Sequence, residues 1–184
     1  MNKEKPILVE GKKINLISFS EDFITETYVG WLNDPEMSTI ISSAKISTTL
    51  EEVRKYCHSL MDSEDNFFFA VITRKEKKHI GNFRLGPLDR VNNRIQLGMM
   101  IGDKKYHGQG LGSEIVSLGL KFSFETLSLH KVFLDVREDN IAAIRIYEKK
   151  GSRWAFCVNC NYNEGTKTLN RRFKLDSFRH IYRL

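Results

Sequence analysis

The chain has 184 residues, 41% of them apolar and 28% charged, with 29 Lys and Arg against 23 Asp and Glu and a net charge of +6. That length supports one domain, residues 1–184, with a sizeable core. No run reaches the roughly 18–20 uncharged apolar residues of a membrane span, and the charged start MNKEKPILVEG lacks the apolar stretch of a signal peptide. The odd cysteine count (Cys57, Cys157 and Cys160) does not look like a disulfide framework, so a cytoplasmic protein is expected.

In chain order, KKINLISFS (12–20) alternates Ile14 and Leu16 and reads as a strand. SEDFITETYVGWLNDP (20–35) offers a Ser cap, helical spacing and a stop at Pro35. STTLEEVRKYCHSLMDS (47–63) carries Thr-x-x-Glu capping signals ahead of Val53, Tyr56, Cys57 and Leu60, predicted to share one helical face. NFFFAVITR (66–74) and HIGNFRLGPL (79–88) flank KEKK and read as a hairpin, and NRIQLGMMIG (93–102) as a further strand. GLGSEIVSLGLKFSFETLSL (110–129) is predicted as a helix with Ile115, Leu118, Phe122 and Leu129 near one stripe. KVFLDVRE (131–138) follows as a strand, then DNIAAIRIYEKKG (139–151) as a helix opened by Asp-Asn and closed by Lys-Lys-Gly. SRWAFCVN and KTLNRRFKLDSF complete two strands. Cys157 and Cys160 form a C-x-x-C with no second ligand pair, so they read as ordinary thiols and no metal is expected. The order is that of a mixed α/β chain with a predominantly antiparallel sheet.

Within YHGQGLGSE, Gly108, Gly110 and Gly112 fall at every second position, between a predicted strand and a predicted helix. Backbone N–H groups turned toward one point, with the partial positive charge of a helix start behind them, make an anion cradle. The spacing is neither that of a P-loop nor the G-x-G-x-x-G of dinucleotide folds. The positive net charge favours an anionic partner, a phosphorylated small molecule or a nucleic acid. No RNA-binding signature supports the second, and the basic aromatic stretch NRRFKLDSFRHIYRL reads as a last strand and tail.

YHGQGLGSEIV resembles the acyl-CoA loop of the GNAT N-acetyltransferase superfamily, Gln/Arg-x-x-Gly-x-Gly/Ala, with His107 standing where the first residue is usual. VREDNIAAIRIYEKKG is similar to a later helix of that family, through Asn140, Ala143, Tyr147 and Gly151. WLNDPEM (31–37) is similar to the first helix of its RimJ/RimL-type branch. The resemblance implies a GNAT-like, mostly antiparallel sheet of six to seven strands flanked by about four helices. It further implies acetyl-CoA as co-substrate and transfer of its acetyl group to a primary amine by direct attack in a ternary complex. The implied binding residues are Met99, Met100 and Ile101 for the pantetheine arm, His107, Gly108, Gln109, Gly110, Leu111, Gly112 and Ser113 for the pyrophosphate, and Asn140 near the pantetheine. Lys104, Lys105, Lys149 and Lys150 are candidates for the remaining phosphate.

Amide formation requires a neutral amine, a donor for the carbonyl oxygen and a proton for the leaving thiolate. The resemblance puts Tyr147 in the role of that acid. Relatives often carry Glu in a Glu-[Ile/Leu]-Gly-Tyr run; here the run is QLGM, and a carboxamide at Gln96 cannot take a proton at neutral pH. Gln96 is expected to orient the amine or a water, and Glu138, Asp135, His58, His107 or a water chain are left as bases. A non-catalytic acyl-CoA-binding module is the alternative reading. The partners expected are a small-molecule or peptide amine (a protein N-terminus, a nucleotide-linked amino sugar or a polyamine) and at most a second copy of the chain, with neither membrane nor nucleic acid.

Overall fold

Ile14 and Leu16 are fully buried on one face of strand β2 (Ile14–Ser18), as an alternation of period two requires. The computed structural model describes residues 6–40 and 47–150, and the backbone of three later strands. A short strand β1 (Leu8–Glu10) pairs antiparallel with β2. The expected hairpin is strand β3 (Phe67–Thr73) with β4 (His79–Asp89). Every residue of β3 is buried, which is why FFFAVIT is continuously apolar: both of its faces are covered. Strand β5 (Arg94–Ile101) lies antiparallel to β4, and β6 (Lys131–Arg137) lies parallel to β5. Strands β7 (Arg153–Trp154), β8 (Tyr162–Asn163) and β9 (Thr168–Asp176) follow. The sheet order is β1-β2-β3-β4-β5-β6-β9-β7, with β8 on β9. It is mostly antiparallel, as expected, and the short strands widen it at its margins. Cys157 and Cys160 lie outside the described residues.

The helices depart from expectation in instructive places. Ser20 opens only a 3-10 turn (Glu21–Phe23) and its side chain makes no cap. Helix α1 (Glu26–Asn33) is instead capped by Thr25, whose Oγ1 accepts from the Tyr28 amide. Pro35 does not end the helical segment; it is the first residue of α2 (Pro35–Ile40). Proline is preorganised for that position and has no N–H to satisfy there, and Asp34 Oδ1 accepts from the Glu36 amide at 2.9 Å. Helix α3 (Leu50–Met61) carries the expected capping box between Thr49 and Glu52. Its Val53, Cys57 and Leu60 are buried, but Tyr56 is 45% exposed at the edge of the stripe. Helix α4 (Leu111–Lys121) is shorter than its sequence pattern. It passes into a π-helical turn at Phe122–Thr126, and Leu129 is buried beyond it. Helix α5 (Ile141–Lys149) precedes β7.

The sheet separates two apolar layers. On one face Ile14, Leu16, Phe69, Phe83, Leu97, Val132 and Leu134 pack with Ile115, Leu120, Ile144 and Tyr147 of α4 and α5. On the other, Phe68, Ala70 and Ile72 pack with Tyr28, Val29 and Trp31 of α1 and Val53, Cys57 and Leu60 of α3. Burial pushes the Cys57 thiol up to about 12, so it stays a protonated core residue. No helix among the described residues is long and apolar enough to cross a membrane.

Candidate active site

The three glycines have two different physical reasons. Gly108 and Gly110 have φ of 72° and 78°, left-handed conformations that a side chain disfavours. A Cβ added at either would meet nothing within 4 Å, so the space beside both is open. Gly112 lies inside α4, and a Cβ there would come within 2.9 Å of Ile146 Cδ1, so its role is close packing of α4 on α5. Gly110 is the N-cap of α4, which leaves the amides of Leu111, Gly112 and Ser113 without intrahelical partners. Open space, free amides and a helix start form an arrangement that suits a phosphate.

The cradle is braced from behind. Glu114 Oε1 accepts from the amides of Lys12 and Lys13 at 2.5 and 2.9 Å, tying α4 to the β1–β2 turn. Lys13 Nζ donates to the Gln109 carbonyl at 3.2 Å, and Gln109 Nε2 donates to the Lys105 carbonyl at 2.6 Å. The His107 ring donates from Nε2 to the Ile101 carbonyl at 2.7 Å, so the histidine fastens the loop to the end of β5. Lys104 is engaged too: its ammonium pairs with Asp34 at 2.8 Å and Glu36 at 2.6 Å, which holds its pKa above the usual lysine range.

Strand β5 leads into this turn and forks from its neighbour. Its pairing with β4 continues to Gly81↔Ile101, whereas its pairing with β6 ends at Gln96↔Phe133. Among the described strands, none pairs with that edge of Leu97–Ile101. Met99 and Ile101 pack on the α4–α5 side, and Met100 on the side of α1 and α3. Gly102 then lies directly against the Trp31 indole, with no room for a Cβ.

Tyr147 is 5% exposed in the α4–α5 layer, and burial drives its phenol pKa well above the ordinary range, so the hydroxyl keeps its proton at neutral pH. Asn140 caps α5: its Oδ1 accepts from the Ala143 amide at 3.1 Å, which accounts for the Asn-x-x-Ala spacing. The preceding turn is clamped by Arg137, buried, whose Nε and Nη2 donate to the Asp139 carboxylate at 3.0 and 2.6 Å. Gln96 Nε2 donates to Asp135 Oδ2 at 3.3 Å across the mouth of the fork. His58 pairs with Glu21 at 2.6 Å, a surface contact between α3 and the 3-10 turn. The structure thus brings together Gln96, Met99–Ile101 and the 107–113 turn along one strand. Sequence reasoning missed the Trp31–Gly102 contact and the Glu114 brace, because neither leaves a local pattern.

A family profile for the acetyltransferase (GNAT) domain matches residues 13–153. The chain belongs to the GNAT acetyltransferase family. It is 24% identical over 160 residues to the human alpha/beta-tubulin-N-acetyltransferase 9, covering 81% of this chain and 76% of that one. Its fold matches RimL, the ribosomal L7/L12 alpha-N-protein acetyltransferase solved with coenzyme A, at a TM-score of 0.81 and 13% identity, over 92% of this chain and 98% of RimL. It also matches the Vibrio cholerae spermidine N-acetyltransferase solved with CoA and spermine, at a TM-score of 0.79 and 17% identity, over 90% and 96%. This GNAT protein is an acetyl-CoA-dependent N-acetyltransferase acting on an amine.

Proposed function

We propose that the single domain of residues 1–184 holds the pyrophosphate of acetyl-CoA on the backbone of the His107–Ser113 turn, and its pantetheine arm along Met99–Ile101, with Asn140 beside the arm. The observation that carries this is the fork: β5 loses β6 beyond Gln96 and leads, with one edge unpaired among the described strands, through a 3-10 turn at Lys104–Tyr106 into the left-handed glycines. A primary amine, small or borne on a peptide, reaches the thioester from the face of α1 and α3. Tyr147, neutral at pH 7 as any ordinary phenol is, supplies the proton to the departing thiolate. Its neutral form is the one a general acid needs. The names of the relatives favour a polyamine or a protein amine, which RimL and the spermidine enzyme exemplify.

The test is thiol release from acetyl-CoA over a panel of spermine, spermidine, peptides with free N-termini and a nucleotide-linked amino sugar. Amine-dependent release with at least one of them is expected. Acetyl-CoA binding with no release from any would favour the non-catalytic binding module and overturn the reading.

A further inference from the structure

Four residues stood as candidates to take the proton from the attacking amine, and the structure separates them. The His107 ring is bound to the Ile101 carbonyl through a protonated Nε2, on the cradle. His58 is bound to Glu21 of the 3-10 turn, at the surface. Glu138 lies beyond the end of β6, in the turn toward α5. Asp135 alone among the four meets Gln96, with its Oδ2 accepting from Gln96 Nε2 at 3.3 Å.

The faces of the two strands agree with this. Met100 belongs to the apolar layer of α1 and α3, so Gln96, four residues earlier on the same strand, shares its face. Val132, Leu134 and Val136 are buried in the opposite layer, so Asp135 looks toward the α1–α3 side. Asp135 also lies two residues past Phe133, where pairing between β5 and β6 ends. The carboxylate therefore stands at the mouth of the fork, on the α1–α3 face, and it is exposed. The β6–β9 register sets Arg172 opposite it, and Arg94 stacks on the Phe133 ring of the same face.

We propose that Asp135 is the proton acceptor of the transfer, with its carboxylate supplied from β6 across the strand pair from Gln96, which orients it. This deepens the proposed function and rests on it. The ammonium first yields one proton to water. The amine nitrogen then attacks the thioester carbon, the C–N bond forms and the C–S bond breaks. The second nitrogen proton passes to Asp135, directly or through one water. The thiolate takes its proton from Tyr147, which recovers one from solvent, and Asp135 returns to solvent the proton it accepted. The sum is one amide, one thiol and one proton released.

The experiment moves the carboxylate back across the fork. Wild type, Asp135→Asn and the double variant Gln96→Glu/Asp135→Asn are compared for kcat and KM with the most active amine of the panel. Acetyl-CoA affinity and thermal midpoint are measured on each without amine. Asp135 is exposed, so its substitution opens no cavity. Asp135→Asn should lower kcat about a hundredfold, the low end for a lost general base, with acetyl-CoA affinity and midpoint unchanged. The double variant should regain all but about tenfold of it. More than half of wild-type kcat in Asp135→Asn would overturn the proposal. So would a hundredfold loss that the double variant does not repair, which would make Asp135 a positioning residue only. A wild type that acetylates nothing would instead defeat the proposed function itself.

Discussion

Replacing Gly110 by Val tests the cradle in two separable ways. Gly110 has φ of 78°, and an L-residue forced into that region costs roughly 1–2 kcal/mol, more when β-branched. For a chain of this length each kcal/mol lowers Tm by about 2–4 °C, so the ligand-free variant should melt roughly 2–8 °C lower. No atom lies within 4 Å of the new Cβ, so no internal clash adds to that cost. The open space is where an anion would sit. Losing two charge-assisted hydrogen bonds, at roughly 1.5–3 kcal/mol each, weakens binding by about 10²- to 10⁴-fold. Calorimetry with acetyl-CoA reads the second effect and thermal melting without ligand reads the first. A Kd within threefold of wild type would refute the cradle. A fall in Tm beyond about 15 °C would refute the claim that the space is open.

His107→Ala should cost acetyl-CoA affinity about 1 kcal/mol or less, since one hydrogen bond to the Ile101 carbonyl is lost; calorimetry checks it, and a larger loss would show that the ring meets the ligand. Tyr147→Phe should lower kcat about a hundredfold with unchanged acetyl-CoA affinity; retention of half the turnover, with chemistry rate-limiting, would remove the acid role. The Asp89 carboxyl is held down to about 2 by the Asn92 backbone amide, then the Asn92 side chain and Arg94. Its folded pKa lies below the unfolded value near 3.9, so its contribution is present above about pH 4 and fades as pH falls toward 2. Asp89→Asn should therefore melt below wild type at pH 7, with the gap closing between pH 4 and 2; a gap constant across that range would contradict the assignment.

The glycine turn was legible because its requirement is local: left-handed backbone at Gly108 and Gly110 demands glycine whatever surrounds it. The Thr49–Glu52 box and the Asn140 cap of α5 were legible for the same reason. Pro35 misled because proline suits a first helical turn as well as it breaks an interior one. The end of α4 at Lys121 is invisible in a periodic pattern that runs on through the π-helical turn. Strand β1 is short and half exposed, with too few residues to show alternation. The meeting of Gln96 with Asp135 could not be read at all from spacing. Thirty-nine positions separate them, and only the parallel register of β5 and β6 brings them together.

Trp31 lies on Gly102, and two residues later Lys104 reaches back to Asp34 and Glu36. The α1–α2 segment and the approach to the glycine turn are thus clamped as one body, through an aromatic plate at one point and a triple of charges at another. A consequence follows for transplanting acceptor preference between relatives. Residues 26–40 are not a cassette that can be exchanged alone. A donor segment with a different side chain at position 31 leaves a gap over Gly102, and one lacking the carboxylates at 34 and 36 leaves the Lys104 ammonium unpaired beside the cradle. A chimera built on this chain has to carry positions 102 and 104 with the helices, or the exchanged segment will arrive with the approach to the glycine turn displaced.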